Sequence, residues 1–428
     1  MTILVFLLLI ALIGLNVPIF ISLAGTAFVI FAVFTPMPLD ILPQRMFAGV
    51  EGMALLAIPF FMLAAGIMGK GGVTTRLIRF ASSLVGHLPG GLGICAVLSS
   101  LFFAAITGST ASTVVAVGGI IYPALVEAGY GKEFSLGLVT CSALLGMIIP
   151  PSNAMIIYGS ITKVSVGALF MSGFGAGLIF VTVYSAWCVI YAKRNTIALA
   201  PRSSLSDVLS AGKDASWGLG FPGIILGGIY SGIFTPTESA VVAVVYAMFI
   251  TMVVHRELTL SELWDICCDT GMVSARILIM VAAATLFSWL LTVENITTQL
   301  VAPIVAMEPP SWAVLFFANT FMLISGMFID VFSNILIFTP LMKPLLHTAG
   351  ISELHFGVIA SVNADMGNVT PPFGLNLFIA SGAFGASYFT VVRSVLPWLG
   401  LAILCLAIIT YFPAICLWLP SLLYPVPS

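Results

Sequence analysis

Charge is what this sequence has least of. Asp, Glu, Lys and Arg make up 7% of its 428 residues, against about 25% in an average soluble protein. A chain this poor in charge and 60% apolar cannot clothe itself for water, so it is an integral membrane protein. A net charge of −2 points to neither nucleic acid nor acidic partners. Histidine is scarce: His87, His255, His347 and His355 are scattered near segment ends and show no metal spacing. The seven cysteines (Cys95, Cys141, Cys188, Cys267, Cys268, Cys405 and Cys416) form no Cys-x-x-Cys or Cys/His pattern and read as small buried hydrophobes. There is no Walker loop, which excludes ATP hydrolysis by this chain. GSTAS at residues 108–112 looks like a nucleophile turn only superficially, because no His or Asp has a matching place. The opening MTILVFLLLIALIGL lacks the basic start of a signal peptide and reads as the first membrane segment.

What the sequence does have is a stretch that occurs twice. Pro150-Pro151 recurs as Pro371-Pro372, 221 positions on. The same offset, without a gap, pairs Ser112 with Ser333, Pro123 with Pro344, Ala128-Gly129 with Ala349-Gly350, Gly146 with Gly367, and Ser160 with Ser381. Two interrupted apolar segments in corresponding places of two halves point to the binding site of a secondary transporter.

Apolar runs and their Gly, Pro and charge punctuation divide the chain into two repeats. The first, 1–192, holds a scaffold (1–69), an amphipathic interfacial arm (70–88), a re-entrant hairpin (91–129), a broken helix (133–166) and a span (167–192). Whether residues 2–34 cross once or twice is left open by Asn16-Val17-Pro18. A polar linker, 193–216, follows and is expected to be cytoplasmic. The second repeat, 217–428, holds a scaffold (217–255), an arm (257–272) with Glu262, Asp265 and Asp269 on one face, and a span (273–293). A hairpin (311–349), a broken helix (355–385) and a last span (394–420) complete it. The expected fold is all-α and polytopic, with two inverted repeats. With two crossings in 2–34, eleven of the fourteen Lys and Arg residues fall inside, leaving Arg45, Lys163 and Lys343 outside, as the positive-inside rule favours. Both termini are then periplasmic, and labels at Arg202 and Ser428 should react from opposite sides.

Backbone polar groups in hydrocarbon need partners, so helix breaks survive only inside protein or beside a watery cavity. There are four: Thr107 to Thr113, Gly146 to Asn153, Ser325 to Asn334, and Gly367 to Gly374. Each exposes helix-end carbonyls suited to a cation and helix-start amides suited to an anion. Pro-Pro withholds two amide donors and so frees carbonyls upstream. Ser109, Ser112, Thr113, Ser152 and Asn153 add side-chain oxygens in the first half; Asp330, Ser333, Asn334, Asn368 and Thr370 do so in the second. Thr113, Ser152, Asn153, Asn334 and Asn368 are the candidate substrate contacts. An ionisable residue at membrane depth is functional by default, which adds Asp330 to a cation site. Asp365 is read as bonding a neighbouring helix end, Glu238 as a helix cap, and Arg276 as a boundary marker.

The run of LNVPI, LAIPFFMLAAGIM, LPGGLG, FFAAITGSTASTVVAVG, IIPPSN, GIFTPTESA and GNVTPPFGLNLF resembles the large membrane subunit of tripartite ATP-independent periplasmic (TRAP) transporters, over essentially the whole chain. The resemblance implies a bacterial or archaeal importer of organic acids, such as C4-dicarboxylates or sialic acid, driven by a sodium gradient. It implies an elevator fold in the inner membrane, a separate four-helix membrane subunit, a periplasmic binding protein, and no cofactor beyond Na⁺ as coupling ion. Sodium sites carry over to Ser109, Ser112, Gly146 and Pro150, and to Gly326, Ser333, Gly367 and Thr370. Two alternatives stand beside it. One is a stand-alone carboxylate symporter or ion antiporter of the same superfamily. The other is an intramembrane enzyme, which would need a catalytic pair among Asp330, Asp365 and Glu238.

Overall fold

Pro18 interrupts the first apolar run. It cannot continue a helix, and the chain divides there into α1 (Thr2–Gly14) and α2 (Ile19–Phe34). These are about 20 and 24 Å long at 1.5 Å per residue, both short of a hydrocarbon core of about 30 Å. The computed structural model describes residues 1–70 and 72–424, excepting the side chains of Thr298 and Leu300. Gly71 of the first arm and the label position Ser428 lie outside the described residues. Among the described residues every regular element is helical, and seven helical stretches are long and apolar enough to cross a membrane.

In chain order follow α3 (Ile41–Val50), α4 (Ala57–Lys70), the amphipathic α5 (Val73–Val85), and the first hairpin, α6 (Gly91–Thr107) with α7 (Thr110–Glu127). The first broken helix is α8 (Lys132–Ser142), a short α9 (Leu145–Ile148) and α10 (Asn153–Thr162); α11 (Val166–Arg194) ends the half. The second half runs α12 (Leu205–Tyr230), α13 (Pro236–Met248), α14 (Leu260–Val293), α15 (Ile296–Val305), and the hairpin α16 (Ser311–Gly326) with α17 (Val331–Thr348). Its broken helix is α18 (Glu353–Gly367) with α19 (Leu375–Phe384), followed by α20 (Tyr388–Tyr411) and α21 (Ala414–Leu417). From the hairpins onward, α7 and α17, and α8 and α18, begin 221 residues apart.

Three expected boundaries need correction. The linker 193–216 is not all linker: Ser204 and Asp207 form a capping box (the Asp207 amide donates to Ser204 Oγ at 3.1 Å, the Ser204 amide to Asp207 Oδ2 at 3.1 Å), and α12 starts at Leu205. Such a box satisfies two orphan amides at once. The arm 257–272 and the span 273–293 are one continuous helix, α14, started by the Thr259/Glu262 box. Its acidic first turns suggested a separate interfacial piece, but nothing between Asp269 and Val273 stops a helix except Gly271, which a helix interior tolerates at about 1 kcal/mol. The helix α15 falls in a gap between the expected segments. It begins 223 residues after α5, so it stands where an equivalent of the first arm would stand.

Helix α4 packs between α13 and α14, and α12 packs on α5 and α13. Around α2, Phe31 stacks on Trp289 with centroids 4.7 Å apart, and Arg45 lies 4.9 Å over the same indole. The hairpins and broken helices form the interior: α8 packs on α20, α10 on α17, α16 on α18, and α6 on α7 and α11. The core of the Lys132–Thr162 stretch is wholly buried inside the molecule. That is where an interrupted backbone has to be.

Candidate functional site

In the first hairpin, α6 ends at Gly108, whose φ of +56° is left-handed and costs a glycine little. Ser109 then caps α7. Its Oγ accepts from the Ser112 amide at 3.4 Å and from the Ser112 hydroxyl at 3.2 Å. Asn153 Nδ2 donates to the Gly108 carbonyl at 3.4 Å, joining the hairpin turn to the start of α10. Ser152 spans the break before α10: its hydroxyl donates to Met147 O at 2.5 Å and accepts from the Met155 amide at 3.4 Å. Gly146 lies directly on the hairpin turn. A Cβ there would come within 2.7 Å of Ser109 C and O, so only glycine lets the two backbones approach this closely.

The second half repeats the arrangement with different chemistry. Asp330 takes the place of Ser109 and caps α17. It accepts from the amides of Phe332 (2.9 Å) and Ser333 (3.1 Å) and, at 2.5 Å, from the Ser333 hydroxyl. Ser333 Oγ also lies 2.6 Å from Met280 Sδ on α14. Gly367 lies on Gly326, where a Cβ would come within 2.6 Å of Gly326 C. Across the break, the Thr370 hydroxyl donates to Met366 O at 2.7 Å and the Asn376 amide to Asn368 O at 2.9 Å. The peptide bonds Pro150–Pro151 and Pro371–Pro372 are both cis.

The two halves meet at Asp365, which is completely buried. Its Oδ1 accepts from the Thr110 hydroxyl at 2.7 Å and from Asn368 Nδ2 at 3.2 Å. Asp365 does bond a neighbouring helix end, as the sequence suggests. Next to this junction is a cavity of about 720 Å³. Ser109, Thr110, Ser112, Asn153, Asp330, Asn368 and Asn376 supply its polar wall; Met62, Gly66 and Gly69 of α4 and Val273 of α14 face them across it. A mostly apolar hollow with a few convergent polar groups is the usual form of a small-molecule site.

The structure therefore sorts the candidates. Ser109, Ser112, Asn153, Asp330 and Asn368 line the cavity. Gly146, Pro150, Gly326, Ser333, Gly367 and Thr370 are buried around the two backbone contacts behind it. Thr113, Ser152 and Asn334 do not line it: Thr113 donates to Ser109 O (2.8 Å), Ser152 to Met147 O, and Asn334 to Met322 O (2.9 Å). Glu238 is a cap, accepting from the Thr235 amide at 2.8 Å. Thr110 and Asn376 are cavity residues that the sequence reasoning passed over. Neither has a polar counterpart at the 221 offset (Val331 and Met155 stand there), so a search guided by the repeat does not find them.

Comparison with known proteins gives the family. Residues 6–415 match the family model described as tripartite ATP-independent periplasmic transporter, DctM component. The chain is 40% identical over 388 residues to the C4-dicarboxylate TRAP transporter large permease protein DctM of Pseudomonas aeruginosa, covering 91% of each. It is 36% identical over 386 residues to the ectoine TRAP transporter large permease protein TeaC of Halomonas elongata, covering 90% of each. Among solved structures, the YdaH transporter of Alcanivorax borkumensis superposes with a TM-score of 0.66 at 15% identity, over 95% of this chain and 99% of that one, a likeness of fold. With hairpins, broken helices and sequence in agreement, the chain belongs to the DctM family of large membrane subunits of tripartite ATP-independent periplasmic transporters.

Proposed function

We propose that this permease imports a small organic acid across the bacterial inner membrane, driven by sodium, with a periplasmic binding protein delivering the substrate and a small four-helix membrane subunit as its partner. The observation that carries the reading is the cavity between the two hairpin tips. Helix starts at Ser109 and Asn153 aim amides toward a carboxylate, and the turns at Gly108, Gly146, Gly326 and Gly367 bring backbone carbonyls and hydroxyls together as neutral oxygen donors for sodium. The tripartite family name supports the two partners. An elevator movement of the hairpin-bearing core against α4 and α14 would carry the cavity from one face to the other. The relatives' names, C4-dicarboxylate and ectoine, are both of small solutes that carry a carboxylate.

The test is uptake in proteoliposomes containing this chain, its small subunit and the loaded binding protein. Two similar cages predict at least two sodium ions per substrate. Uptake against sodium at fixed potential should then be steeper than first order. Each net positive charge carried inward should gain about 2.3 kcal/mol per 100 mV. Full uptake without sodium would refute sodium coupling, and uptake by this chain alone would favour a stand-alone symporter.

A further inference from the structure

The two cages follow the repeat, but one buried polar corner does not. Asp365 and Asn376 have Leu144 and Met155 at the 221 offset, so the first half has no version of what they form. Asp365 is completely buried, and while its Oδ1 takes two hydrogen bonds, its Oδ2 has no partner among the described residues. Asn376 is also completely buried, lines the cavity, and has neither its amide oxygen nor its amide nitrogen partnered. These are costly arrangements: an unmatched buried polar atom costs about 1–3 kcal/mol, and a buried carboxylate without a countercharge costs more.

The fold brings these groups to one corner. Thr110, on the first turn of α7, reaches Asp365 at the end of α18. Asn368 connects Asp365 to the start of α19, because its side chain donates to Asp365 and its backbone carbonyl accepts from the Asn376 backbone N–H. Helix α19 runs beside α7: Phe384 packs on Gly118 and Tyr122, while Asn376, two turns earlier, shares the cavity wall with Thr110 and Ala111. The Thr110 hydroxyl and the Asn376 side-chain amide therefore line the same cavity, and the Asp365 carboxylate lies directly behind Thr110, hydrogen-bonded to it. The chemistry points to a monovalent hard cation. Calcium takes six to eight oxygens, commonly several of them carboxylate, and transition metals prefer imidazole or thiolate. No group of three His, Cys, Asp or Glu residues occurs among the described residues.

We infer that Asp365, Thr110 and Asn376 form a further sodium site, separate from the two hairpin cages. It ties the first hairpin to the second broken helix, so that occupying it draws parts of both halves together around the substrate cavity. The inference rests on the reading of this chain as sodium-coupled.

The experiment is thermal unfolding of the full chain in lipid nanodiscs, against sodium chloride at constant ionic strength with choline as the replacement ion. No substrate is needed. The wild type should be stabilised by sodium, since a ligand bound only to the folded state raises stability with its concentration. Asp365→Asn keeps the shape and removes the charge. In sodium-free buffer it should be at least as stable as wild type, because it no longer buries an uncompensated charge, and its sodium response should be shallower by about one ion. Thr110→Val and Asn376→Ala should raise the sodium midpoint by about tenfold. A purely structural Asp365 gives the opposite result, lower stability at every sodium concentration with an unchanged midpoint and slope, and overturns the inference. Should Asp365→Asn fail to fold, wild-type sodium curves for both Thr110→Val and Asn376→Ala overturn it equally. A pH dependence lost in Asp365→Asn with the sodium curve intact would make the group a proton carrier and also overturn it. A wild type indifferent to sodium would defeat sodium coupling as a whole; a responsive wild type with unchanged variants defeats only this site.

Discussion

Ser112 and Ser333 stand 221 positions apart but in different surroundings. Ser112 is exposed to the cavity and donates only to Ser109 Oγ, while Ser333 is buried between Asp330 and Met280. Replacing Ser333 by Ala removes a donor from a half-buried carboxylate, which should weaken sodium affinity by roughly 1–3 kcal/mol. Ser112→Ala should do less. Uptake against sodium checks both, and a packing role would instead lower expression while leaving the midpoint in place. Gly146 is the sharper case at this scale. Its alanine variant must push Cβ into the Ser109 backbone, which overpacking places at about 1–3 kcal/mol and which should abolish sodium-dependent uptake. Gly119→Ala is the matched control, since nothing lies within 4 Å of its Cβ position. It should keep full uptake and unfold no earlier than wild type.

Among the elements, α14 and α5 show what an interface does to a helix. At 34 residues α14 is about 51 Å long, well beyond a hydrocarbon core of about 30 Å. Its acidic first turns therefore project past the lipid tails or the helix tilts steeply. The connector just before α14 is tied to α5 by Arg76–Glu257 at 2.7 Å, and α5 is tied to α12 by Arg79–Asp214 at 3.1 Å. The hydrogen bond from Arg76 holds the Glu257 carboxyl below its ordinary value. A depressed carboxylate pKa stabilises the contact at neutral pH, and the contribution disappears as pH falls through the folded-state value, below about 4.3. Protection of the α5 amides, measured relative to their intrinsic exchange rate at each pH, should therefore fall in acid. Glu257→Gln should show that lower protection already at neutral pH, with little further change on acidification. Equal exchange in the variant and wild type at neutral pH would show that apolar packing through Val73, Leu77 and Ala81 holds the arm without the ion pair.

At the scale of the molecule, the helix breaks are legible because Gly, Pro and polar residues stand out in an apolar chain: α6 ends at Thr107, α9 at Ile148, α16 at Gly326 and α18 at Gly367. What the sequence hid was of two kinds. The continuity of α14 was hidden because an acidic face resembles an interfacial helix, and α15 because ten residues do not make a span. The partner of Asp365 was hidden because its bond to Thr110 crosses 255 positions and no local pattern announces it. The inside-positive charge count still awaits its own test. Single cysteines at Arg202 and Thr2, in a cysteine-free background, should label from opposite faces, and labelling of both from one face would overturn the inverted-repeat topology.

The buried α8–α10 segment also constrains how the protein can be made. Its short α9 and α8 are sheltered partly by α18 and α20, which the ribosome produces roughly 200–250 residues later. At 5–20 residues per second that is a wait of about 10–50 s. Throughout it the nascent segment sits in the bilayer with exposed carbonyls and no final neighbours. The first half on its own is thus a client for membrane chaperones and proteases, and it becomes safe only when translation is nearly finished. A chain stopped after Arg202 should be degraded, and a separately expressed second half should rescue it.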